Sequence, residues 1–480
     1  VEATPVTTLR LSERLAPGNR LLLAGLVCGQ LVLIALPGLF GVRYIWMVSG
    51  LLLAASLSLF SVQRTLMLLL VTSVVLPDRV LALLVLPGGL RLPEGLLLAA
   101  AGFAVIDLVF VRGLRLRAGG ADAPVLLFLA VALLSSLIGL ARGNLTTVVL
   151  RDVRFPLYYG VYYLVAQFVD GRGAIRWMVP LLVVCGLVVS GEYILEFVGA
   201  IDLSMGSRFV RVARLEGVVL PVCLLLVVNQ FVHAPARFGH AVLAACFVAL
   251  SLAFVLTVGR GMWVAFAVGL AASVGLWQSR HQGGRRQTLR ALLLVIGLLA
   301  GLAASVTLFQ RATGSAVGAH ALERSRAFVD MGRDVHVLGR LSSYLTTLQA
   351  IADHPVLGSG QGATLWFLGF NEELNRFESA EAWTVDNLYL ALAWKMGLVG
   401  LASFIWLGWR LGGLAVQVFR HAAQAEARAF AGGVVATLAA MAVLGLSDAA
   451  MVSGRLAAVF GLLYGLLAVT HRDFLQETCR

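Results

Sequence analysis

Lysine is all but missing: Lys395 is the only one in 480 residues, so the formal charge of +12 is carried by arginine. Codon bias can favour arginine overall, but it does not choose where the arginines stand, and a guanidinium grips planar oxyanions in a way an ammonium does not. Cysteine is scarce as well. Cys28, Cys185, Cys223 and Cys246 fall in apolar stretches and Cys479 in the tail, which excludes a disulfide frame or a metal knuckle and leaves the thiols as small apolar packing groups. No Asp-x-Asp pair stands in the outward-facing segments, so the sequence offers no metal site and calls for no cofactor. Nor does any long basic stripe or soluble basic domain exist to hold nucleic acid.

Charge of either sign is sparse. Charged residues make up 13% of the chain against 60% hydrophobic, with a mean hydropathy of +0.91, far outside the composition of a soluble globular protein. Apolar runs of about 20 residues recur from Leu21 to Thr470, without the alternation of a β-barrel, so the expected fold is an all-α, polytopic membrane helix bundle. Spans are expected near 21–40, 44–61, 65–87, 95–111, 124–140, 155–169, 176–198, 217–233, 238–257, 260–277, 289–309, 385–409, 429–446 and 453–470. The third is broken by Pro77-Asp78-Arg79 and several are short, giving about twelve to fourteen crossings. The first follows an Arg-bearing arm without a small-residue cleavage site and reads as a retained span. Three units result: a bundle over 1–309, a large, partly helical outer segment over 310–384, and C-terminal spans with a tail over 385–480.

Short loops rich in Arg mark the cytoplasmic side. The arm with Arg10, Arg14 and Arg20, the loops 112–120, 170–176 and 279–290, and the stretch 410–428 all fall on one side if every span crosses. Residues 310–384 then face outward, toward the periplasm. Other arginines break the rule. Arg142, Arg151 and Arg154, then Arg208, Arg211 and Arg214, then Arg260 stand on the outer side, where orientation disfavours them and where an anion would hold them. Snorkelling to lipid headgroups is the competing reading. A helical SRFVRVAR would stack Arg208, Arg211 and Arg214 on one face, and a pyrophosphate has the charge to relieve their repulsion. Within the spans, Glu192 and Glu196 stand one turn apart, where pairing with outer-face arginines is the stronger reading and a proton path the weaker; transport without chemistry is therefore an alternative, although no paired broken helices support it.

In the outer segment, GRLSSYLTTLQAIADHPVLGSGQG (339–362) reads as an amphipathic helix carrying Leu341, Tyr344, Leu345 and Leu348 on one face, stopped by Pro355. GSGQG (358–362) reads as a turn more readily than as a phosphate loop, since it lacks the lysine and the strand-helix context. His354 is a candidate base or substrate contact, with a structural turn role the stronger reading. From Trp366 to Trp383, aromatics alternate with Glu372, Glu373, Glu378 and Glu381, a mix that suits a sugar acceptor or an interfacial helix. Asp386 and Asn387 stand where this segment becomes a membrane helix. Either could cap it, and Asp386 at its positive end could take a proton from an attacking hydroxyl.

GRGMW (259–263), the 339–362 motif and VDNLYLALAWKMGLVG (385–400), in this order and between these spans, resemble the O-antigen ligase and polymerase superfamily. Its members are membrane enzymes that transfer sugars from undecaprenyl-pyrophosphate carriers. Asn387, Gly397 and Gly400 match the ligase pattern, whereas Asp386 occupies the position of its histidine and resembles the polymerase-like members. The resemblance implies Asp386, Arg214 and Arg260 as catalytic residues, with Arg151, Arg154, Arg208, Arg211, Arg340, His354, Asn387 and Trp383 at the substrates. It further implies a lipid-linked glycan donor, a glycan or lipid-linked acceptor, contact with membrane lipids, and a chain-length regulator as a partner. Polymerisation of repeat units on the periplasmic face of the inner membrane is the first reading and ligation to lipid A-core or protein the second.

Overall fold

The computed structural model describes residues 62–83, 91–111, 116–169, 171–200, 215–257, 259–280, 335–371 and 376–478, with scattered positions between 297 and 311. The expected spans at 21–40 and 44–61, and most of 289–309, lie outside the described residues. Among the described residues fourteen α-helices are assigned: α1 (Val62–Val75), α2 (Asp78–Leu83), α3 (Leu92–Ile106), α4 (Asp122–Ala141), α5 (Thr146–Tyr159), α6 (Val161–Phe168), α7 (Gly171–Phe197), α8 (Val219–His233), α9 (His240–Leu256), α10 (Arg260–Arg280), α11 (Val335–Asp353), α12 (Leu388–His421), α13 (Ala425–Leu444) and α14 (Gly454–Thr478). Among the described residues, eight helical segments are long and apolar enough to cross a membrane. The polytopic helical bundle is as expected. One departure is an antiparallel hairpin, β1 (Leu365–Asn371) and β2 (Arg376–Ala382), where composition had left a sugar platform or an interfacial helix open.

α14 forms the axis of the bundle, packed by α1, α5, α6 and α12, while α13 bridges α8, α10 and α12. Tyr159, Tyr162, Phe128, Phe419 and Phe460 are fully buried among these helices. Their contacts are built on small residues: a Cβ at Gly461 or Gly465 would meet the backbone of α5 and α6, so these glycines let the helices approach closely.

The two ends of the bundle differ in charge pairing. At one end, Arg176 and Arg237 share Glu426, and Arg410 donates to the Gly120 carbonyl. Arg176, Glu426, Arg410 and Gly120 belong to the loop set expected on one side, and Arg237 joins them there. The other end gathers the N-termini of α10, α12 and α14 with the C-termini of α4 and α13: Leu388 donates to the Gly445 carbonyl, and a Cβ at Gly261 would lie 2.5 Å from Ser447 Oγ.

α12 is two helices joined at Gly397, whose φ of 69° and ψ of −177° belong to a region that essentially only glycine occupies. A regular helix would send the Leu398 and Val399 amides to the Trp394 and Lys395 carbonyls. Instead those amides donate to Pro355 and Val356 at 2.8 and 3.3 Å, and the freed carbonyls accept from Ser359 and Gly360 at 2.7 and 3.1 Å. The loop 355–362 thus replaces the missing turn of α12, and every exchanged backbone group is satisfied. Beneath it Lys395 is ion-paired with Asp152, both side chains almost fully buried, and the Gly362 amide donates to the same carboxylate at 2.9 Å.

Candidate active site

Asn387 has extended backbone angles, accepts from the Leu390 amide through Oδ1 at 3.0 Å and donates through Nδ2 to the Leu446 carbonyl at 3.0 Å. It is the cap of α12, so capping does not engage the Asp386 side chain. That carboxylate instead meets Arg340 of α11, Nε to Oδ2 at 3.0 Å, while the Asp386 carbonyl accepts from the Tyr344 hydroxyl at 2.7 Å. Arg340 and Tyr344 are one turn apart, which lets a single helix hold residue 386 at two points. Partial burial pushes the Tyr344 hydroxyl above its usual pKa, with Asp386 adding to the shift and Arg340 opposing it, so it stays a donor. The Arg340 and Asp386 side chains are 48% and 57% exposed, a pair that adds about 1 kcal/mol or less to stability. It is open to an incoming molecule.

Asp448 stands beside them in the α13–α14 connection, accepting from the Ala450 amide at 2.7 Å. Burial pushes its carboxyl above the usual carboxylate range; the Ala450 hydrogen bond and Arg340 oppose this and Asp386 adds to it. Because Asp448 binds its proton more tightly folded than unfolded, it stabilises the fold least once both states are ionised, and stability falls as pH rises from about 4 through its folded titration. Asp448→Asn is expected to remove that fall, its melting temperature in detergent diverging upward from the wild type as the pH is raised; parallel curves would contradict the assignment.

Arg260 opens α10, whose next residue abuts Ser447, so it borders the loop that carries Asp448. Arg151 stacks its guanidinium 4.0 Å above the ring of half-exposed Trp383, three residues before Asp386. The structure therefore brings Arg340, Asp386, Asn387, Trp383, Arg151 and Arg260 to one end of the bundle. Arg154, on the same helix as Arg151, is tied to Glu94 at 2.9 Å. His354 is exposed at the far end of α11, about 20 Å along the helix from Arg340 at 1.5 Å per residue, too far to join Asp386 in one contact shell. Arg208, Arg211 and Arg214 lie outside the described residues.

The hairpin pairs Trp366 with Glu381 and Phe370 with Phe377. Trp366, Leu368 and Phe377 are exposed, together with Ser379 and Glu381, an aromatic and carboxylate surface of the kind that takes sugar rings. The GSGQG turn offers no anion cradle. Its amides at Ser359, Gly360 and Gln361 donate to the carbonyls of Trp394, Lys395 and Ser135, and that of Gly362 donates to Asp152.

A family model described as O-antigen ligase matches residues 245–405, from within α9 through Arg260, α11, the hairpin and Asp386 to the kink in α12. Over that third of the chain the match bears out the resemblance to the O-antigen ligase and polymerase superfamily. The match supports a glycosyltransferase of the ligase or polymerase type, and the eight apolar helices a multi-pass membrane protein. No curated protein matches the chain.

Several groups at the same end of the bundle went unread in the sequence. Asp448 carried a signal, an acid in a short connection between two apolar spans. Lys395 carried a stronger one, the sole lysine and inside a span, whose partner Asp152 lies 243 residues away. Arg455 begins the last span and is buried among Asp78 at 3.0 Å, Glu216 at 2.5 Å and the carbonyls of Ser73 and Leu76. Glu216 follows Arg214 by two positions, and nothing local in the sequence joins it to Arg455.

Proposed function

We propose that this protein polymerises undecaprenyl-pyrophosphate-linked repeat units on the periplasmic face of the bacterial inner membrane by an inverting, metal-independent transfer. The single observation that carries the reading is Asp386 itself: an aspartate where ligases have histidine, relieved of capping by Asn387 and held half-exposed by Arg340 and Tyr344. In the proposed step the acceptor hydroxyl gives its proton to the Asp386 carboxylate as its oxygen attacks the anomeric carbon. The bond from that carbon to the carrier's pyrophosphate breaks, and the leaving pyrophosphate keeps the electron pair. Arg260, with Arg214 and Arg211, meets the charge that develops there. Arg340 orients the base, and Trp383 with the hairpin aromatics seats the acceptor glycan.

Reconstitution tests the reading. Purified protein with lipid-linked repeat units and no other acceptor is expected to give a ladder of lengths. A single product that requires lipid A-core would replace polymerase by ligase, the reading that the family description itself favours. Arg260→Ala is expected to lower kcat by about 10²–10³, as removal of one charge-stabilising donor does, with the melting temperature unchanged. Activity lost to a chelator and restored by a divalent cation would refute the metal-independent mechanism.

A further inference from the structure

α11 is inside out. Its buried positions are Gly339, Ser343 and Thr347, the latter two 5% and 0% exposed, whereas Leu338, Leu341, Leu345 and Leu348 are 45–55% exposed. Steps of three and four put those leucines in one stripe, and Ala352 continues it. The hairpin does not cover it: β1 packs on a flank, where Ser342 Oγ accepts from the Leu368 amide. In water such a face would be an aggregation site, and a single stripe of this regularity is not the scattered exposure of ordinary surfaces.

The depth of the element identifies what covers it. At the C-terminal end of α11 the chain does not leave the bundle but enters it. Gln361 donates to the Ser135 carbonyl at 3.0 Å, a residue about 9 Å along α4 from its end at Ala141. Gly360 lies so close to α4 that a Cβ would sit 2.5 Å from the Gly139 nitrogen. Irregular backbone at that depth is tolerated where protein satisfies its polar groups, and the amides from Ser359 to Gly362 are all satisfied. The exposed Val356 and Leu357 at the loop's outer edge then carry the apolar stripe down toward the level of the lipid-facing leucines of α4, such as Leu134 and Leu137, which are themselves exposed.

We propose that α11 and the loop 354–362 form a re-entrant element lying in one leaflet of the bilayer, with the Leu338–Leu341–Leu345–Leu348 stripe against acyl chains. Its opposite edge presents Arg340 and Tyr344 to Asp386. The membrane is thus the fourth wall of the candidate site, and the helix that holds residue 386 is seated on lipid. An amphipathic helix of this kind sinks about 5–10 Å into the boundary between headgroups and chains, matching the depth at which its loop meets α4. The inference does not depend on the glycosyl-transfer reading.

The test uses the full-length protein in vesicles of phosphatidylethanolamine and phosphatidylglycerol. Cys28, Cys246 and Cys479 are replaced, the buried Cys185 and Cys223 are kept, and a polarity-sensitive fluorophore is placed on Leu345→Cys or, separately, on Glu381→Cys of the hairpin. At 345 the emission is expected to be blue-shifted, strongly quenched by brominated acyl chains and insensitive to iodide; at 381 the pattern is expected to reverse. Leu341→Cys and Leu348→Cys provide independent sites should one substitution fail to fold, judged by its melting temperature. A label on the stripe that iodide quenches overturns the proposal. So does one shielded from iodide and bromine alike, which would mean that protein or a bound polyprenyl chain covers the stripe. Because neither probe reads turnover, an inactive protein with a lipid-quenched stripe leaves this inference standing while removing the proposed activity.

Discussion

Asparagine at position 386 is expected to lower turnover by about 10²–10⁴-fold, the usual worth of a positioned general base, with the melting temperature essentially unchanged. The two halves of that expectation rest on different observations. The cap of α12 belongs to Asn387, and the Tyr344 hydroxyl bonds to the backbone carbonyl of residue 386, so neither contact is lost. The ion pair with Arg340 is more than 40% exposed on both sides and contributes little to stability. An amide of the same shape keeps an oxygen for the guanidinium but cannot accept a proton from a hydroxyl. The measurement is the initial rate of chain extension beside thermal unfolding in the same detergent. Full activity would remove Asp386 from the chemistry and leave it a ligand of Arg340.

The second large effect is one of stability. Lys395→Met is expected to cost about 3–5 kcal/mol, the cost of stranding one member of a buried pair. The side chains of Lys395 and Asp152 are 7% and 6% exposed. Methionine fills the volume but leaves the Asp152 carboxylate with the Gly362 amide and the more distant Arg151 as its compensation. Adding Asp152→Asn to that variant is expected to recover a substantial part of the loss, because a neutral amide oxygen can still accept from Gly362. Thermal or denaturant unfolding of the single and double variants measures this directly. Equal losses in both would mean that the packing of the lysine stem, and not its charge, holds the loop.

Most of the fold was legible because it is written in hydropathy, and a span of apolar residues reports its own length wherever it packs. The hairpin was not. Trp366 to Trp383 has the composition of several structures, and its strand state is set by pairing Trp366 with Glu381 and by the support of α11, both long-range facts. The site divides in the same way. Asp386 and Asn387 were legible as a helix start, but which of them caps depends on where the Leu446 carbonyl and Arg340 stand. The outer arginines were found by their sidedness, yet sidedness could not tell Arg151, stacked on Trp383, from Arg154, committed to Glu94. GSGQG was read as a turn, which it is; its bonding to the carbonyls of α12 follows from the left-handed glycine at 397 and had no local signature.

The exchange of hydrogen bonds at Gly397 also bears on how the protein is made. A span emerging during synthesis normally completes its own backbone bonding and can wait in lipid as an independent unit. α12 cannot, because its Leu398 and Val399 amides and its Trp394 carbonyl are met by residues 355–359, and its Lys395 carbonyl by Gly360 and by Ser135 of α4, all translated before it. Its assembly is therefore conditional on an earlier segment, and substitutions at Gly358, Gly360 or Gly397 should register as missing protein before they register as slow enzyme. In a mutational survey scored by glycan output, that class will imitate loss of catalysis, and only the amount of folded protein in the membrane will separate a chain that cannot react from one that was never finished.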